Sequence, residues 1–302
     1  MIRNLSQVMK FARERGPKTL SVACAQDADA LTAVTKAKAA GIADAILVGD
    51  EDLIRRIAES ESLDLHGFQI IDIKDPVEAS LKAVELVSKG TAQMVMKGMV
   101  DTSVILKAVL NKEVGLRTGN VLSHVAVFEV AGFDRLFLVT DAAMNIDPDL
   151  NTKKQIIENA VTVAQALDID VPKVAVICAK EKASETMPET MDAAALREMN
   201  ERGEISGCIV GGPLAIDNAV SPAAAKLKGI THPVAGYADV LVAPDIESGN
   251  ILYKTLGFMA FASNAAVIVG AKAPIVLTSR ADSDEAKLNS IALGVLCASK
   301  LF

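Results

Sequence analysis

Residues 273–296, Ala273-Pro-Ile-Val-Leu-Thr-Ser-Arg-Ala-Asp-Ser-Asp-Glu-Ala-Lys-Leu-Asn-Ser-Ile-Ala-Leu-Gly-Val-Leu296, carry the reading from which the rest follows. Pro274 to Thr278 is a short β-branched apolar run, which predicts a buried strand. Ser279 and Arg280 stand where that strand should stop, and Asp282-Ser-Asp-Glu285 opens a helix with cap residues and first-turn acids. Ala286, Leu288, Ile291, Ala292, Val295 and Leu296 supply its inward stripe. A strand end, a Ser-Arg pair and a helix start together make an anion site, because backbone N–H groups and the helix dipole favour negative charge there. Arg280 adds a forked donor that matches a phosphate. The plainer reading is an ordinary strand-to-helix loop whose Arg pairs with Asp282, Asp284 or Glu285.

Upstream, short apolar runs alternate with helical patterns from Thr19 onward, which predicts a parallel sheet with crossover helices. No GxGxxG follows a strand and no GxxxxGK[ST] occurs, so the common dinucleotide and P-loop fingerprints are missing. The rhythm breaks at residues 122–130 and 134–140, two runs joined through Gly132, which predicts an antiparallel hairpin at a domain border. A 302-residue chain is one large domain or two ordinary ones. With 51% hydrophobic but only 3% aromatic residues and no Trp, its core volume must come from Ala, Val, Ile, Leu and Met.

A net charge of −7 argues against a nucleic-acid partner, but it leaves room for a local cationic cluster that holds a small anion. The four cysteines form no CxxC pair, and they read as reduced core thiols of a cytoplasmic protein. The N-terminus is amphipathic and lacks the apolar core of a signal peptide. Residues 258–277 are the most apolar long window. Ser263, Asn264, Gly270, Lys272 and Pro274 interrupt it, so a buried helix followed by a strand is expected there, with no membrane span.

Several further stretches carry candidate chemistry. In residues 97–103, Lys-Gly-Met-Val-Asp-Thr-Ser, a strand ends at Lys97-Gly98, where Gly permits close approach of a ligand, and cap-type residues open a helix bearing Lys107. For each Lys the alternative is a solvated helix face. Ser123 and His124 begin the hairpin; His124 suits a base or a phosphate donor, or else it is a hydrogen-bonded strand histidine. Asp245, Asn250 and Lys254 open and line a later helix, on which Tyr253 reads as packing. Gly211-Gly212-Pro213 reads either as a close-approach turn or as a strand end.

Taken in order, KGMVDTS (97–103), SHVAVFE (123–129), GPLAIDNA (212–219), PVAGYADVLVAPDIESGNILYK (233–254) and VLTSRADSDEA (276–286) resemble the phosphate acyltransferases, the phosphotransacetylase and phosphate butyryltransferase enzymes, with the butyryl branch nearer. The resemblance implies two α/β/α domains with a cleft between them, similar to isocitrate and isopropylmalate dehydrogenase. The first would take residues 1–120 plus 273–302, and the second 121–272. It implies the reaction of butanoyl-CoA with phosphate to give butanoyl phosphate and CoA, by direct transfer in a ternary complex. No metal or bound cofactor is required, and acyl-CoA, phosphate and acyl phosphate are the partners; separately, the apolar composition of the chain leads to the expectation of a homo-oligomer. Acetyl-CoA transfer, and a non-catalytic CoA- or phosphate-binding relative, are the alternatives.

By the same resemblance Arg280 holds phosphate, and Ser279 hydrogen-bonds phosphate or the thioester oxygen. In the acetyl branch an acidic base follows that Ser by seven positions, and here the position is Ala286. The base role therefore falls on Asp284 or Glu285, or on His124, unless the two acids only stabilise the helix start. Substrate-binding roles are expected for Lys97, Gly98, Lys107, Ser123, Asp245, Asn250, Lys254 and Asp282.

Overall fold

The structure, a computed structural model, describes residues 1–277 and 282–301. The chain divides into two compact units, Leu5–Asn120 with Ala265–Phe302, and Met1–Asn4 with Val121–Asn264.

The first unit begins with α1 (Leu5–Arg15), β1 (Lys18–Ala23), α2 (Ala28–Ala39), β2 (Ala43–Gly49), α3 (Glu51–Ser60), β3 (Gln69–Asp72), α4 (Pro76–Ser88), β4 (Met94–Lys97) and α5 (Thr102–Val109). The helix starts are written into the sequence. Asp27, Asp50 and Asp75 each sit before a helix and accept first-turn N–H groups, and Pro76 follows the last of them at a position where a missing N–H costs nothing. Strands run in the order β3-β2-β1-β4, all parallel. From β1 the chain leaves through α2 to β2, whereas from β3 it returns over the sheet through α4 to β4. Right-handed crossovers then put α4 on the face opposite α2. In agreement, α4 packs on α5, and α2 packs on the last helix of the chain.

The second unit contains β5 (Ser123–Glu129), β6 (Leu136–Thr140), α6 (Leu150–Ala166), β7 (Lys173–Ile177), α7 (Pro188–Glu201), β8 (Ile209–Leu214), α8 (Ile216–Val220), α9 (Pro222–Leu227), β9 (Val240–Val242) and α10 (Ile246–Lys254). The expected hairpin is present: β5 and β6 pair antiparallel, with Ala126 opposite Val139. The strand order is β5-β6-β9-β7-β8, and β6, β9, β7 and β8 are parallel. Ile2 is tied to this unit by its N–H on the Leu167 carbonyl.

The chain re-enters the first unit through β10 (Ser263–Val269) and β11 (Ile275–Val276), and it ends in α11 (Asp284–Leu301). Here the expectation of a buried helix followed by a strand within residues 258–277 is corrected in its first part, while the closing strand is present as β11. A single π turn, Thr255–Met259, closes α10, and a β strand follows. The β-branched run Val267-Ile-Val269 is satisfied by antiparallel pairing of Ile268 with Ile275, which a helix could not provide. Because β10 pairs in this sheet, the return to the first unit starts at Ala265, ahead of the Ala273 start read from the sequence. β11 lies parallel to β4, and α11 is buried from Asn289 to Ala298. Gly294 sits where it meets Met94 and Val276, so that the helix lies close on the sheet.

Candidate active site

In the second unit the site is built from the carboxyl ends of β6 and β9. Thr140 leads into Asp141, which is only 3% exposed. A buried carboxylate needs donors on every side, and Asp141 has them. Its Oδ1 accepts from the N–H groups of Ala143 and Met144 at 2.9 and 3.1 Å, and its Oδ2 from the N–H and Nδ2 of Asn145 at 3.2 and 2.6 Å. Asn145 Nδ2 also donates to the Leu122 carbonyl, which fixes this loop to the start of β5.

Helix α10 docks on that loop. Asp245 caps it, accepting the Ser248 N–H at 2.7 Å. A Cβ on Gly249 would fall on the Asp141 carbonyl oxygen, closer than real Cβ atoms come, so glycine alone fits. Asn250 Nδ2 donates to the Ala142 carbonyl at 3.2 Å. One turn later Tyr253 is buried between His124 and Phe128, edge-on to both, with centroids at 5.6 and 5.4 Å. Lys254 Nζ lies 5.3 Å from the Tyr253 ring centroid and 5.4 Å from that of Phe258. The structure thus brings Asp245, Asn250, Lys254 and His124 into one assembly, with Tyr253 as the packing residue between them.

Ser123 and His124 are both buried at the start of β5. The Ser123 hydroxyl accepts Asn159 Nδ2 at 2.9 Å, and Asn159 also donates to the Val121 carbonyl. Ser123 therefore serves the packing of α6 on β5. Gly211 and Gly212 lie inside β8, crowded by His232, Val234 and Val176; they are strand positions and form no ligand turn.

In the first unit, Lys97 and Gly98 stand at the end of β4 beside the end of β1, where the chain leaves for opposite faces. Such a divergence is where ligands bind in open α/β sheets. The reason for glycine at 98 differs from the expected one: a Cβ there would strike the Cys24 carbonyl, so it is the crossing backbone that requires Gly. Lys97 Nζ donates to the carbonyls of Gly98 and Val100, each at 3.2 Å. Asp101 precedes α5 without a side-chain capping bond. Lys107 is exposed on that helix.

The start of α11 is also described from Asp282 onward. Ser283 Oγ accepts the Ala286 N–H at 3.1 Å. Asp284 pairs with Lys36 at 3.0 Å, both side chains about half exposed, and Glu285 is exposed. Lys287, almost fully buried, was not singled out from the sequence. It joins Asp29 at 2.9 Å to the Asp282 carbonyl at 2.8 Å and so ties the helix start to α2. Ser279 and Arg280 lie outside the described residues.

All four cysteines are free and buried. Burial pushes the Cys24 thiol up, with the Asp75 charge adding to it against a hydrogen bond from Ser80 and the charge of Lys97. Burial likewise raises Cys178 and Cys208 to about 11 and Cys297 to about 12. A nucleophilic cysteine needs a lowered pKa, so none is poised to carry an acyl group. Among the described residues no three His, Cys, Asp or Glu side chains converge as metal ligands. No helix among them is long and apolar enough to cross a membrane.

Comparison with known proteins follows this geometry. The chain is 51% identical over 300 residues, 99% of each chain, to the phosphate butyryltransferase of Clostridium beijerinckii. It is 47% identical to the phosphate acetyltransferase of Thermotoga maritima, over 97% of this chain and 99% of that one. Its fold matches the crystal structure of a branched-chain phosphotransacylase from Enterococcus faecalis with a TM-score of 0.82 and 34% identity, over 93% of this chain and 99% of the other. A 4-hydroxythreonine-4-phosphate dehydrogenase from Klebsiella pneumoniae shares the fold alone, at a TM-score of 0.58 and 14% identity, over 94% of this chain and all of the other. The model of the phosphate acetyl/butaryl transferase family matches residues 4–78 and 74–295, and with these identities over nearly the whole chain the protein belongs to that family.

Proposed function

We propose that the protein is a phosphate butyryltransferase, which converts butanoyl-CoA and phosphate to butanoyl phosphate and CoA. The observation that carries this reading is the full-length identity to a phosphate butyryltransferase, which exceeds that to a phosphate acetyltransferase. A phosphate oxygen attacks the thioester carbonyl carbon, and the carbonyl π pair moves onto oxygen. Collapse of that oxyanion breaks the C–S bond, and the departing thiolate takes up a proton. Direct transfer suits a protein whose buried thiols all stay protonated. CoA and phosphate are substrates, and the chemistry calls for no metal or bound cofactor.

Arg280 holds phosphate and Ser279 steadies the phosphate or the thioester oxygen. In the reverse direction Asp284 or Glu285 takes the CoA proton, which helps because a thiol of pKa about 8.5 is only a few per cent thiolate at neutral pH. Lys97, Lys107 and Lys254 supply positive charge for the CoA phosphates in an otherwise acidic protein. The free buried thiols suit a cytoplasmic setting. Exposed Ile251, Phe258, Met259 and Phe261 along the end of α10 suit a homo-oligomer.

The test is thiol release from butyryl-CoA with and without phosphate. Release should require phosphate, and Arg280→Ala should lower kcat by about 10²–10³, the effect of losing one preorganised donor. A higher kcat/KM with acetyl-CoA would favour the acetyl reading. No release from either thioester would leave a non-catalytic CoA-binding relative, and release without phosphate would mean a hydrolase.

A further inference from the structure

Asp141 is a buried carboxylate that the chemistry above does not use. Four donors meet it, two on each oxygen: the N–H groups of Ala143, Met144 and Asn145, and Asn145 Nδ2. Only a carboxylate offers acceptors on both sides and no donor of its own, so an amide of the same shape would set an NH2 group against N–H groups. The backbone donors belong to successive residues, so the chain from Asp141 to Asn145 is wrapped around the side chain. The carbonyls of Asp141 and Ala142 are then left to α10. The first lies against Gly249, where a Cβ would strike it, and the second accepts Asn250 Nδ2 at 3.2 Å.

The helix carries this placement one turn further. Gly249 and Tyr253 stand at i and i+4 on one face, both buried, and Asn250 and Lys254 stand at i and i+4 on the next. Seating the first member of each pair fixes the second. Tyr253 lies edge-on to His124 and Phe128, and the Lys254 ammonium lies 5.3 and 5.4 Å from the ring centroids of Tyr253 and Phe258. We infer that Asp141 is a positioning residue for the acyl transfer: through its own loop and α10 it holds Lys254 where the acyl-CoA needs positive charge. The inference rests on the acyltransferase function above. A lysine is a point charge on a flexible stem, so its use to a substrate depends on what holds the stem.

Asp141→Asn, Lys254→Ala and the two together decide it, with kcat and the KM for butyryl-CoA and for phosphate measured at low and high salt. Asp141→Asn should raise the KM for butyryl-CoA about tenfold, leave that for phosphate within about twofold, and flatten the salt dependence of KM as Lys254→Ala does. Added to Lys254→Ala, it should raise KM by less than about twofold more, because both act through one ammonium. A residue that only holds the fold would lower kcat with the folded fraction at constant KM, or would multiply the loss in the double variant; either result overturns the inference and leaves the acyltransferase reading intact. Asn250→Ala breaks the link to α10 without touching the carboxylate, and it serves even where Asp141→Asn does not fold. It should raise the KM for butyryl-CoA by a smaller factor, and an unchanged KM there overturns the inference. A wild-type protein without phosphate-dependent thiol release overturns the acyltransferase reading and this inference with it.

Discussion

Helices α10 and α11 both begin on acids just beyond a parallel strand, yet they are held in place by opposite means. The first turn of α10 is pinned: Asp245 caps it, Gly249 lies on the Asp141 backbone and Asn250 reaches the Ala142 carbonyl. Its far end is loosely covered, with Ile251 67% and Met259 75% exposed around the π turn. In α11 the first-turn acids face outward, Asp284 to Lys36 and Glu285 to solvent, while Ile291 to Ala298 are buried without interruption, the close-packed Gly294 among them. A short helix that carries candidate functional groups is positioned by a few hydrogen bonds at its start. A long core helix is positioned by area, and it leaves its acidic start open for other uses.

The sharpest way to break this comparison is Gly249→Ala. The added methyl has only backbone to displace, so unfolding in urea should show a loss of about 3 kcal/mol, the upper end for overpacking, and α10 should lose its seat. A loss below about 0.5 kcal/mol would mean that the Asp141 loop yields, and that α10 is not pinned by it.

A second test is alkaline stability, which reads the burial of α11. Burial pushes the folded Cys297 thiol up to about 12, whereas in the unfolded chain it ionises near the ordinary thiol value of about 9. Above that value the unfolded state binds fewer protons, so stability falls as pH rises, by up to about 1.4 kcal/mol per pH unit for this group. Cys297→Ala should remove that share of the slope between pH 9 and about 12, at some cost in packing. An unchanged slope would mean that Cys297 reaches solvent in the folded state.

Smaller effects separate the two helix starts. Asp245→Ala should cost about 1 kcal/mol through the lost cap and raise the KM for acyl-CoA. Asp284→Ala removes a half-exposed ion pair and should cost only about 0.5 kcal/mol. Its kinetics matter more. If Asp284 serves as base, kcat falls by about 10²-fold or more with little change in stability. If Asp284 and Glu285 are only first-turn acids, Asp284→Ala and Glu285→Gln leave kcat within about twofold.

Much of this was legible in local patterns. Asp before each early helix, Pro76 at a first turn and the alternation of apolar runs foretold the parallel sheet, because capping and periodicity act within a few residues. The hairpin at residues 122–140 was legible for the same reason. Within residues 258–277 the closing strand is legible, but the helix expected before it is a strand, because a continuous apolar run has no period and partner strands decide between buried helix and strand. Asp141 is marked only by its place, an acid directly after the buried run Leu136–Thr140 and before a run of N–H donors. Lys287 left no such signal, since its partners Asp29 and Asp282 meet it only through the packing of α11 on α2.

The sequence by itself determined the elements, the strand-end positions of the candidate residues and, through ordered motifs over most of the chain, the acyltransferase family. These depend on interactions between near neighbours and on residue types that only one chemistry needs together. Tertiary structure alone decided which acids are spent on structure and which glycine is pressed against backbone. Each of those depends on groups far apart in the chain, which the order of strands in the sheet brings together.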